Sequence, residues 1–239
     1  MNSNRKTAII VGVLFIAATV AGIISEVFGP NLDAPDYLVN LSTNENQVLI
    51  RGLFVFIMAV LIAGIPVFMY PILKKYNEAL ALGYVVFRTI EVVFFTVCAI
   101  SLLTLLTLSK EFVIAGAPDA SYFQTLATLL LAVRELVGGV FSAIVFSLSA
   151  LILNYILYRS KLIPRWLSGW GLIGATLYLG SGFLPLFGHD SRSTIYLLME
   201  APLFLNEMVF AVWLIVKGFN PSAIASLFTK TDDQYEKET

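Results

Sequence analysis

Long apolar stretches separated by short polar breaks run through this chain. Six recur, near Thr7–Phe28, Asn46–Leu73, Ala79–Ser109, Tyr122–Tyr158, Trp166–Phe187 and Ser193–Val216. Each is at least as long as the roughly 20 residues that carry an α-helix across a hydrocarbon core. Lipid offers no partner to a bare backbone amide, so spanning segments of this kind are helical. The pattern predicts an all-α fold, a polytopic bundle of six transmembrane helices within residues 1–217. Residues 218–239 end in TDDQYEKET and are predicted to form a disordered polar tail. No soluble domain fits in the connections, and no internal repeat is evident.

Composition agrees with the pattern. The chain is 58% hydrophobic and 13% charged, where a soluble domain carries about 25% charged residues. Mean hydropathy is +0.85. Packing in water cannot absorb such an excess of apolar side chains, so the surrounding solvent is lipid. The first run follows the short basic leader MNSNRK. It exceeds the roughly 7–15 residues of a signal-peptide core and lacks a small-x-small cleavage site, so it reads as a retained span.

The third and fourth runs are overlong, at 31 and 37 residues. As a helix the fourth would measure about 55 Å, against a core of roughly 30 Å. Their outer ends are expected to continue as a helical hairpin that projects past the bilayer, or bends back over the bundle at Gly138–Gly139. Other local signals mark the ends of runs. Ser42 and Glu45 have capping-box spacing before the second span, and Pro164 suits the first turn of the fifth. Trp166 and Trp170 suit the inner headgroup level. Pro66 removes one backbone bond inside the second span and predicts a kink. Gly171, Gly174, Gly180 and Gly182 point to close helix packing along the fifth.

Direction follows from the basic residues. One set of loops holds Arg5, Lys6, Lys74, Lys75, Arg159, Lys161, Arg165, Lys217, Lys230 and Lys237; the opposite set holds Lys110 and Arg192. This asymmetry places both termini in the cytoplasm, as an even number of spans requires.

Eight ionisable residues fall in or near the spans: Glu26, Arg51, Arg88, Glu91, Arg134, Glu135, Glu200 and Glu207. A charge at mid-bilayer costs about 2.5–3.5 kcal/mol even on a lenient scale, so these side chains should turn inward and pair. Counting helical rise from the inner boundary puts Arg88, Glu91 and Glu207 at roughly 13, 18 and 14 Å, near the midplane. Arg51, Glu200 and Glu26 come out at roughly 22, 24 and 28 Å, in an outer layer. Arg88 and Glu91 are three apart and can pair on one helix. Adjacent Arg134 and Glu135 do not face each other; they are expected at the mouth of the outer layer. Three arginines against five glutamates leave an excess of acid, which calls for a proton or a bound cation.

Several activities are excluded or unsupported. A net charge of −1 gives no basic footprint for nucleic acid. The single cysteine, Cys98, allows neither an intrachain disulfide nor a cysteine-clustered zinc site. The single histidine, His189, rules out bis-histidine haem ligation within one chain, and no cofactor can be named. His189-Asp190 supplies too few ligands for a metal and reads as a solvated loop. Asn40-Leu41-Ser42 matches a glycosylation sequon, a pattern common by chance. Met58, Met69, Met199 and Met208 read as packing residues, and Lys217 sits too far from mid-membrane for a retinal Schiff base. No GxSxG, Walker loop or CxxC occurs, and pairing His189 with Ser142 or Ser181 has no support.

The order of landmarks resembles the bacterial family DUF4386. The matching pieces are NRKTAIIVGVLFIAATVAGI, NENQVLIRG, YPILKKYNEALALGYVVFRTIE, AGAPDASYFQTL, PRWLSGWGLIGA and NEMVFAVWLIVKGFNPSAI. The resemblance implies a multi-span bacterial inner-membrane protein and brings no activity with it. The residues themselves lead to an expectation: a polar cavity open to the outside. Arg88, Glu91 and Glu207 form its base, with Arg51, Glu200, Arg134 and Glu135 nearer the mouth. Such a cavity would bind or move a small solute, an amphiphile, a cation or a proton. The alternative is a non-catalytic membrane subunit or sensor whose buried pairs are structural; an intramembrane enzyme is a third, weaker reading.

Overall fold

The computed structural model describes residues 3–117, 122–189 and 193–238. Among these there is no strand. Helix α1 spans Ser3–Val27, α2 Tyr37–Thr43, α3 Glu45–Leu73, α4 Glu78–Ile114 and α5 Tyr122–Glu135. A π-helical segment, Leu136–Phe141, joins α5 to α6, Ser142–Ser160. Helix α7 covers Arg165–Phe183 and runs into a 3-10 turn, Leu184–Phe187; α8 covers Thr194–Val216 and α9 Pro221–Glu238. Six of these helical runs are long and apolar enough to cross a membrane, with α5 to α6 counting as one. Large apolar side chains such as Val60, Ile173 and Leu198 stand exposed on their outer faces. Contiguous apolar exposure of this extent belongs in lipid.

The principal contacts join α1 to α3, α3 to α4, α4 to α6, α6 to α7, α7 to α8, and α8 back to α1. The bundle is thus a closed circuit in chain order. Four-residue connections join α3 to α4 and α6 to α7, and the first and last spans close the ring. Two close approaches make the last contacts possible. A Cβ on Gly12 would come 2.6 Å from the Ala211 carbonyl oxygen, and one on Gly174 would come 2.9 Å from the Leu203 amide nitrogen. Backbone cannot retreat as a side chain can, so these glycines set how near α8 lies to α1 and α7. Gly180 and Gly182 also face neighbouring helices, against Met199 and Ala143, and Gly171 lies tight against the Asn154 side chain.

The two ends of the ring differ. At the end carrying Arg5, Lys74, Lys75 and Lys161 the centre is solid. Phe15, Met69, Tyr84, Leu157, Leu167 and Phe210 belong to one buried cluster there. Arg5 reaches across to the last turn of α8, donating to the carbonyls of Leu214 and Ile215 at 2.9 and 2.5 Å. Those carbonyls lack intrahelical partners, and a guanidinium suits a helix C-terminus on charge as well. At the other end α2, α5 and the far parts of α3 and α4 form a second cluster around Leu41, Leu102, Leu105 and Phe123. There the Ser109 hydroxyl donates to the Leu38 carbonyl, and Lys110 pairs with Glu45 at 2.5 Å.

Several sequence expectations change. Ser42 does not cap α3, because α2 runs through it; Asn44 is the cap residue and makes no side-chain cap bond. Pro164 stands at the cap position of α7, one residue before the first turn. The segment predicted as a disordered tail carries α9, and Phe219, Ala223 and Leu227 pack into the basic-end core. The sequence's polar ending masked this, because the apolar anchors come first, at intervals of four. The overlong third and fourth runs are 37 and 39 residues, and α5 folds back along α4 as a hairpin. Gly138 and Gly139 fall within the π-helical segment.

Candidate functional site

The hollow end of the ring holds a cavity of about 1120 Å³. Its wall takes residues from α1, α3, α4, α5, the π-helical segment and α8. Beneath it lies a smaller chamber of about 170 Å³, to which all six spanning runs contribute. Thr19, Met58 and Phe95 line both spaces, so they form the neck where the large space adjoins the small chamber that is its floor. Met58 is therefore a cavity residue as well as a packing one.

The floor is built around Arg88. It is 2% exposed, deep on α4, and its two terminal nitrogens serve different helices. Nη1 donates to Glu91 at 3.0 Å, one turn on along α4, while Nη2 reaches Glu207 of α8 at 3.2 Å. The guanidinium lies 4.7 Å from the ring centre of Phe146 and 5.8 Å from those of Phe15 and Tyr84. Three aromatic faces and two carboxylates replace its hydration. Glu91 is as buried as Arg88. Glu207 keeps a fifth of its side-chain surface exposed, toward the chamber it lines.

The upper wall carries a second network. One nitrogen of Arg51 donates to both carboxylate oxygens of Glu26, at 2.8 and 2.7 Å, tying α3 to the end of α1. Its other terminal nitrogen reaches the Pro30 carbonyl at 3.5 Å, in the loop that follows. Arg134 stands 3.9 Å from the same carboxylate of Glu26. The Cys98 thiol donates to the Arg134 carbonyl at 3.7 Å. Glu135 and Glu200 also line this space. Glu200 forms no ion pair with a cation among the described residues.

Every sequence-nominated residue thus lies on one or other of the two spaces: Arg88, Glu91 and Glu207 on the floor, and Arg51, Arg134, Glu135 and Glu200 on the upper wall. Sequence reasoning missed the neck and the aromatic rings under Arg88, since Phe and Met on a lipid-embedded helix look alike whichever way they face. It also missed Asn206, which donates to the Leu167 carbonyl of α7 at 2.8 Å from a buried position beside Glu207. An Asn-Glu pair inside an apolar run was the available signal. His189 ends the described part of its loop; Asp190 lies outside the described residues. Among the described residues no group of three or more His, Cys, Asp or Glu is placed to hold a metal ion. The hydroxyl of Ser181 donates to Tyr178 at 2.8 Å, and that of Ser142 to the Gly138 carbonyl. Both bonds are local to the helix and show no activation by a base.

The model of the DUF4386 family, a domain of unknown function, matches residues 10–218. The chain belongs to the DUF4386 family. An uncharacterized protein of Archaeoglobus fulgidus is 29% identical over 83 residues, which cover 35% of this chain and 48% of that protein. The match therefore spans about half the length of that curated relative. No solved structure matches. For this DUF4386 protein, a multi-pass membrane protein by its six apolar helical runs, chemistry must be argued from the cavity itself.

Proposed function

We propose that this DUF4386 protein binds a small amphiphilic solute in the two-chambered space, from the outer face of the cell's inner membrane. The observation that carries the reading is the asymmetry of the ring. The centre of one end is filled by a continuous apolar core, with a depression of about 500 Å³ only beside Lys161 and Lys217, and the other end is hollow, polar-walled and narrows to a charged floor. A merely structural network would close around its charges as the basic end closes around its core. The basic residues cluster at the solid end, so the positive-inside rule turns the hollow end outward and both termini inward. The cavity volume suits a drug-sized ligand. Release to the other side would need a second state in which the floor around Arg88 opens toward the basic end.

The second reading keeps the networks structural, and Arg51 favours it locally, since its bonds to Glu26 and Pro30 pin the loop after α1. One experiment separates the two. With Cys98→Ser removing the native thiol, Met58→Cys places a single thiol at the neck. In sealed vesicles of known orientation, a membrane-impermeant charged methanethiosulfonate should label it from the outer face and not from the inner one. Protection from both faces would mean that no open cavity exists.

A further inference from the structure

We infer that the ligand of this cavity is a monovalent organic cation with an apolar body, an inference that rests on the cavity reading above. Arginines within a membrane protein invite the opposite choice, a carboxylate or phosphate head. The structure argues against it because each guanidinium is already engaged by carboxylate. Arg88 serves Glu91 and Glu207, while Arg51 and Arg134 both approach Glu26. On the floor, an anion at Arg88 would have to displace Glu91 or Glu207 within a buried site, where an uncompensated charge costs most. On the upper wall Glu200 has no cationic partner among the described residues. An incoming cation supplies one without breaking an existing pair.

The placement of two carboxylates narrows the class. Glu200, Phe204 and Glu207 occur at positions i, i+4 and i+7 of α8, so they share one face over two turns. Glu200 lines the upper cavity with no cationic partner among the described residues, and Glu207 lines the chamber below. Phe204 lies between them in sequence and lines the same wall, with Phe95 and Met58 at the neck. A strongly hydrated inorganic ion would lose its water against such walls and gain little. A quaternary or tertiary ammonium with an aryl or alkyl body keeps its charge near Glu200, sets its methyl groups against aromatic faces, and buries its apolar part. Glu207 offers a second station about 10.5 Å deeper along α8.

The test uses two probes of matched body and opposite charge, 4-phenylbutyl-trimethylammonium and 4-phenylbutanesulfonate. Each is titrated calorimetrically into the purified full chain in detergent, with empty micelles subtracted. The cation should bind saturably and the sulfonate should not. Glu200→Gln should weaken the cation by roughly tenfold or more, the size of the weakest close charge-pair couplings. Glu200 is the variant of choice because no ion pair among the described residues depends on it. Binding of the sulfonate alone would overturn the cation and leave the cavity reading standing. Binding of the cation undiminished by Glu200→Gln would overturn the assigned site. If neither probe binds, the cation is overturned, and thiol labelling at position 58 reports separately whether the cavity is open.

Discussion

The charged floor can be tested by taking it apart in two ways. Arg88→Met removes the guanidinium while keeping a long, flexible side chain. It leaves Glu91 and Glu207 facing the same site with no counter-charge, one of them buried as deeply as Arg88 itself. Losing one partner of a buried ion pair costs about 3–5 kcal/mol, most of it the penalty of the charge left behind. For a chain of this size that corresponds to a fall in Tm on the order of 10 °C. Glu91→Gln or Glu207→Gln should cost less, about 1 kcal/mol, since Arg88 retains one carboxylate in either case. The informative variant is the triple replacement Arg88→Met, Glu91→Leu and Glu207→Leu. It removes every charge together, and well-packed apolar residues in place of a buried network are often neutral or better. The triple variant should therefore unfold at a higher temperature than Arg88→Met alone. Tryptophan fluorescence follows the transition in detergent, with Trp170 and Trp213 packed against the basic-end core. If Arg88→Met unfolds within about 1 kcal/mol of the parent, or the triple variant unfolds earlier than it does, the charges are not acting as one buried unit.

Two further outcomes check the frame around the cavity. Gly174→Leu should destabilise by more than about 1–3 kcal/mol, the usual range for overpacking, because the clash is with the Leu203 backbone, whereas Gly139→Ala, with open space around its Cβ, should be nearly silent in the same thermal assay. Arg5→Met should lose about 1.5–3 kcal/mol, and Arg5→Lys should recover only part of it, because the last-turn carbonyls of α8 take separate donors from a planar fork; thermal unfolding of both variants reads the difference.

The helices and the polar axis were legible in the sequence for one physical reason. A bilayer demands runs of about 20 apolar residues with internally bonded backbones, and it penalises each charge that does not turn inward. Periodicity and run length therefore located all six spanning segments, and helical rise placed Arg88 at the level of Glu207 before any contact between α4 and α8 was visible. The same logic paired Arg88 with Glu91, because a spacing of three is local geometry. What lipid does not constrain was not legible. Burial of Phe219, Ala223 and Leu227 depends on how α9 meets the loops of other helices, and the cap at Ser42 failed because packing extended α2 through it. Only the tertiary structure decided that the ring closes, through the approach of Gly12 to Ala211 and of Gly174 to Leu203. Only it decided that apolar core fills the centre of the basic end and which phenylalanines stand under Arg88. Lipid-facing and ring-facing positions are equally apolar in such a chain, so the composition of a helix cannot say which of its faces meets a cavity until the neighbouring helices are in place.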